Sequence, residues 1–219
     1  MAREKKRQGK AKARKEKKTS GFLKRYLGEE IDYIIKSRNY IYFMVGLFAI
    51  SIIIGFVFHG EFSFFDVIIK ELVKKTENLD GLELILFIFQ NNLWSAFITL
   101  ISGIAVGIFP VISCVLNGSI LGYVMQITWE NYGVVEFWRI LPHGIFELPA
   151  ILISMALGLR TGMFIFSENK LNELKSRTYN SIAIFLKIIL PLLIIAAIIE
   201  GTLITVSYTH LTLPTIYSV

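Results

Sequence analysis

The sequence predicts an all-α polytopic membrane protein with about five transmembrane helices, an outer amphipathic helix and a short interfacial or re-entrant segment. Three observations predict it. The 219 residues are 54% hydrophobic and only 18% charged, with a mean hydropathy of +0.59, whereas a soluble domain carries about 45–50% apolar and about 25% charged residues. Charge-free runs recur that can cross a bilayer core of roughly 30 Å at about 1.5 Å of helix rise per residue. The charge is also segregated: residues 1–20 hold ten Lys or Arg against two Glu, although the whole chain is only +6. Composition excludes a disordered chain and a fibrous repeat, and the single cysteine, Cys114, excludes an intrachain disulfide framework.

Residues 1–39 read as a basic cytoplasmic tail. Its block of Arg3, Lys5, Lys6, Arg7, Lys10, Lys12, Arg14, Lys15, Lys17 and Lys18 has no apolar face, so order is not expected at its start. Such a tract suits the anionic surface of a lipid bilayer, each cation adding about 1 kcal/mol. It would also neutralise nucleic-acid phosphates, but no stacking aromatic interleaves it, so nucleic acid is not the expected partner. A secretory signal does not fit either, because the basic stretch is too long and no small-x-small cleavage pattern follows.

The membrane domain is expected over residues 40–205. Residues 40–58 contain no charge and form the first crossing. From His59 to Glu83 nine charged residues, Glu83 the last, alternate with Phe62, Phe65, Val67, Ile69, Leu72 and Val73, the pattern of an amphipathic helix at the interface. Residues 84–129 are again uncharged. They are too many for one crossing and enough for two, so a hairpin of helices 93–109 and 111–129 is expected, broken at Pro110 after an apolar lead-in over 84–92. Residues 133–145 are semi-polar and too short to span. Two further crossings follow at about 146–166 and 181–205, the last kinked by Pro191. With the N-terminus inside, the inner loops carry Arg160, Lys170, Lys175 and Arg177, which satisfies the positive-inside rule.

Lipid tails are as apolar as leucine, so helices pair through small residues and polar groups. Gly103 and Gly107, Gly118 and Gly122, and Gly158 and Gly162 are each four apart and predict tight crossings, without saying which helices meet. Polar groups within the crossings are Asn91, Asn92, Asn117, His143, Glu147, Arg160, Lys187 and Glu200, costly in hydrocarbon and therefore functional candidates. Lys187 can snorkel, while Arg160 and Glu147 fall near opposite ends of one crossing and read as interfacial. Asn117 adjoins the Gly118/Gly122 pair, where an interhelical hydrogen bond competes with ligand contact. His143 and Glu147 would share a face if the helix is continuous between Pro142 and Pro149. They could satisfy each other, shuttle a proton or touch an ion. Two ligands are too few for catalytic zinc and no HExxH motif occurs, so no metal, cofactor or catalytic residue is expected.

Residues 141–162, LPHGIFELPAILISMALGLRTG, resemble the stage II sporulation protein M family of prokaryotic membrane proteins. FIFQNNLWSAF (87–97), GIAVGIFPV (103–111), LNGSILG (116–122) and IIEG (198–201) stand in the expected order. The resemblance implies a polytopic inner-membrane protein without catalysis of its own. In spore formers the named member works with two cell-wall-degrading partners during engulfment; the family also occurs in organisms that make no spores. His143, Glu147, Asn91 or Asn92, Asn117 and Glu200 match its recurrent polar positions. The expected function is accordingly a non-enzymatic scaffold in the cell membrane that anchors or organises other envelope proteins. The alternative is a small transporter or channel that uses the His, Glu and Asn groups as a polar pathway. At the far end, VSYTHLTLPT (206–215) resembles a translated sequencing-library adapter, so residues 206–219 are expected to be a non-native tail.

Overall fold

A computed structural model describes residues 26–76, 78–79, 81–133 and 141–199, the side chains of 141–145 excepted. No strand occurs among them, and five helices are long and apolar enough to cross a membrane. The basic block at residues 3–18, the segment 134–140, Glu200 and the tail 206–219 lie outside the described residues. Helix α1 (residues 26–36) belongs to a unit ending at Arg38. Just past it, the Ser37 hydroxyl donates to the Tyr33 carbonyl at 2.8 Å.

In α2 (Arg38–Val57) the buried residues are Met44, Phe48, Ser51 and Gly55, one stripe at helical spacing. The other faces leave Tyr42, Phe43, Ile50 and Ile53 exposed. That is the surface of a helix whose solvent is lipid. A 3-10 turn (His59–Phe62) leads to α3 (Phe65–Thr76). Here Phe65, Ile69 and Leu72 lie along one side and Lys70 and Lys74 along the other, with Asp66 and Val73 together at the boundary between them. On the polar side Lys75 donates to Glu71 at 2.8 Å. This hydrogen bond, with the attraction of the ammonium, holds the Glu71 carboxyl below its usual range.

The long uncharged run folds differently from expectation. The first arm is α4 (Gly81–Ser102) rather than 93–109, so the supposed lead-in is itself the first half of the crossing. The chain reverses over residues 103–107, where Val106 and Gly107 take φ of 65° and 70° and the Gly107 amide donates to the Gly103 carbonyl at 2.9 Å. A left-handed pair turns the chain sharply, and glycine adopts it without strain. Pro110 is not the break. It is the third residue of α5 (Ile108–Tyr132), within the first turn, where an amide has no intrahelical acceptor and its loss costs little.

Helix α6 (Leu141–Gly162) runs on through a 3-10 turn, Met163–Phe166. The last span, Lys170–Ile199, starts eleven residues before the expected 181. It comprises α7 (Lys170–Ile184), a π turn (Phe185–Ile189) and a final helical stretch to residue 199. Lys170, Lys175 and Arg177 therefore sit on helix rather than in a loop. The break expected at Pro191 takes the form of that π turn, in which the Leu190 amide reaches back five residues to the Phe185 carbonyl. Widening the turn accommodates a ring that would press on the carbonyl four residues earlier.

Helix pairing follows the glycines. A Cβ on Gly158 of α6 would stand 2.7 Å from the Thr99 carbonyl oxygen of α4, and one on Gly103 would stand 2.6 Å from Gly158 Cα. Gly162 and Gly107 are similarly apposed. Gly118 and Gly122 of α5 lie instead on α2, against Phe48, Ser51 and Ile52, while Gly55 of α2 answers Ser119. Both pairings are parallel: residue numbers rise together from Ala96–Ser154 to Gly103–Gly158, and from Met44–Cys114 to Ile52–Gly122. Alternating crossings would arrange them so. Met44, Phe48, Cys114, Ile151, Met155 and Ala156 make one core between α2, α5 and α6. With half of its span buried, against 17% for α4, α6 is the central helix.

Candidate functional site

The charged rims set the depth scale. At one end Arg177 binds the Arg160 carbonyl (2.9 Å), Ser167 Oγ (3.0 Å) and Glu173 Oε2 (2.8 Å), closing the C-terminal end of α6 with a guanidinium. At the other, Gln126 donates to Glu130 Oε1 at 2.9 Å, and His59 Nε2 lies 3.5 Å from the same oxygen. Leu159, next to Arg160, adjoins the Gly107 position at the start of α5. The 22 rises from Ile108 to Glu130 then give about 33 Å between rims, the thickness of a hydrocarbon core.

On this scale Glu147, the second residue of the apolar span Phe146–Phe166, lies nearer the Glu130 rim than the Arg160 rim. It stands thirteen residues along α6 from Arg160, about 20 Å inside that rim, and is half-buried. The sequence placed it near a crossing end because the uncharged stretch begins there. The helix itself starts at Leu141, and its neighbours α4 and α5 extend further. Helical backbone runs unbroken from 141 past Pro149, so His143 and Glu147 lie one turn apart on one side of α6. The His143 side chain lies outside the described residues. Lys187 falls within the π turn, six residues past Ser181. Ser181 Oγ lies 3.3 Å from Thr161 Oγ1, which puts Lys187 about 9 Å inside the Arg160 rim.

The asparagines have separate surroundings. Asn117 Nδ2 donates to the Ser113 carbonyl at 2.8 Å and stands 3.3 Å from Ser113 Oγ. Ser113 Oγ is 3.4 Å from Thr99 Oγ1 of α4. Asn117 thus bonds its own helix and reaches the next through a serine. Asn92 is half-buried, whereas its neighbour Asn91 is exposed, 100° away around α4. By register Asn91, Asn92 and Glu147 share one mid-depth layer and Asn117 lies a turn away. Glu200 is outside the described residues. Among those residues no three His, Cys, Asp or Glu side chains gather at ligand distance. A shallow groove of about 460 Å³ is lined by Phe56, Gln126, Trp129 and Glu130, at the rim rather than in that layer.

Several structural ties escape sequence reasoning. Ser154 Oγ donates to the Ala96 carbonyl at 3.0 Å, joining α6 to α4. The Tyr123 hydroxyl donates to Asp66 Oδ1 at 2.6 Å. With Phe65 edge-on to Tyr123 at 5.8 Å, this fastens the first turn of α3 to α5. Serine, threonine and tyrosine are ordinary in membrane helices, so no local signal marks these.

An uncharacterized protein of Methanocaldococcus jannaschii is 30% identical over 187 residues, covering 77% of this chain and 83% of the relative. No solved structure matches. Residues 44–204, from α2 through the last span, match Stage II sporulation protein M, and the chain belongs to that family.

Proposed function

We propose that the chain is a non-enzymatic scaffold of the cell membrane, its N-terminus cytoplasmic, which anchors or organises other envelope proteins. The observation that carries this reading is how the polar groups of the bundle are used. Asn117, Ser113 and Thr99 form one chain, Ser154 bonds Ala96, and Thr161 meets Ser181. These groups fasten helices to one another, as a rigid framework needs. The orientation is supported by the rim that gathers Arg160, Lys170, Lys175 and Arg177, which suits the cytoplasmic side.

The test has two arms. Proteoliposomes of the purified protein should show no flux of protons or small ions. In cells, a photo-crosslinker at exposed Val67 or Tyr132 should capture one envelope protein reproducibly, and that protein should lose its membrane placement when this chain is deleted. Proton-linked flux abolished by Glu147→Ala or His143→Ala, with folding intact, would overturn the scaffold.

A further inference from the structure

The outward face of α4 carries something that lipid cannot satisfy. Ala96, Leu100 and Gly103 mark the side packed on α6. Opposite them stand Gln90, Asn91, Trp94 and Ile98, all exposed, Trp94 at 60%. Gln90 and Asn91 lie within two residues of the midpoint of Gly81–Ser102, roughly 14–18 Å from either helix end. Two carboxamides are thus held against hydrocarbon at the depth where no water or headgroup reaches, and an amide without a hydrogen-bond partner there is costly.

We infer that this face of α4 docks against the same face of a second copy of the chain. Equal residues meet at equal depth only across a two-fold axis along the membrane normal, the isologous arrangement commonest among oligomers. A carboxamide is both donor and acceptor, and Gln90 and Asn91 flank the Trp94 stripe about 100° apart, so across the two-fold Asn91 of each copy complements Gln90 of the other at nearly equal depth. The stripe carries no charge at this depth, so like faces do not repel. Trp94 and Ile98 supply apolar contact beside the amides. The inference does not depend on the scaffold reading, since it rests on the cost of the amides alone.

The test uses the full chain in liposomes, with Cys114→Ala as background. Trp94→Cys and Ile98→Cys should give oxidised dimers. Ile53→Cys on the lipid face of α2, 62% exposed, should not. Single-molecule photobleaching should show dimers, and Gln90→Leu with Asn91→Leu should weaken dimerisation at least about tenfold. The thermal midpoint of that variant's monomer should hold, because both side chains point out of the bundle. Three results would overturn the inference: monomers at every protein density, a double-leucine variant that dimerises undiminished, or equal crosslinking at Ile53→Cys.

Discussion

The α4–α6 crossing makes a sharp prediction at Gly103. Replacing its hydrogen with a methyl puts Cβ 2.5 Å from the Gly158 carbonyl carbon and 2.6 Å from its Cα. These are backbone atoms and cannot rotate away. The Gly158 carbonyl oxygen lies closer still, and ordinary contact begins near 3.4 Å, so the helices must part by more than about 1 Å, the kind of strain that overpacking imposes. The Ser154–Ala96 hydrogen bond of the same crossing, two turns back along α4, is 3.0 Å long, and a parting that propagates that far would break it. Overpacking costs about 1–3 kcal/mol and a lost interhelical bond about 0.6–1 kcal/mol, so Gly103→Ala should destabilise by about 2–4 kcal/mol. Gly103 lies in a turn, and no gain in helix propensity offsets this. The reference is Gly46→Ala on α2, where an added Cβ meets nothing within 4 Å and helix propensity gains up to about 1 kcal/mol. Reversible unfolding in micelles, followed by tryptophan fluorescence, compares the two. Equal stability of the two variants would refute the close-packed crossing.

Other perturbations test smaller parts. Tyr123→Phe removes the 2.6 Å bond to Asp66, which at about 1–3 kcal/mol should speed amide exchange in α3 by an order of magnitude or more while the global midpoint barely moves; unchanged exchange would mean that the bond does not hold α3. Arg177→Lys gives up a three-way grip on Glu173, Arg160 and Ser167 that a point charge cannot reproduce, so it should cost about 1–2 kcal/mol in the same unfolding assay, nearly as much as Arg177→Ala. Because pairing with Lys75 depresses the Glu71 carboxyl, its contribution is present above the ordinary Glu range and is lost as pH falls through the depressed value. Carboxyl titration by NMR should show Lys75→Gln returning Glu71 to ordinary behaviour.

The medium, the number of crossings and the amphipathic character of α3 were legible in the sequence, since each follows from local composition and spacing. The helical unity of 141–162, with Pro142 and Pro149 in it, was left open by the sequence and was decided by the structure. What the sequence could not determine was register and partnership. Forty-six uncharged residues carry no mark of where a helix starts, so the expected start of the first arm falls twelve residues past that of α4. Nor could three glycine pairs declare their partners. Lipid is as apolar as the side chains it replaces, so composition does not prefer one helix contact over another. Only the fit of backbones distant in sequence sets Gly103 on Gly158 and Gly118 on α2, and only that fit turns Asn92 toward the bundle and Asn91 away from it.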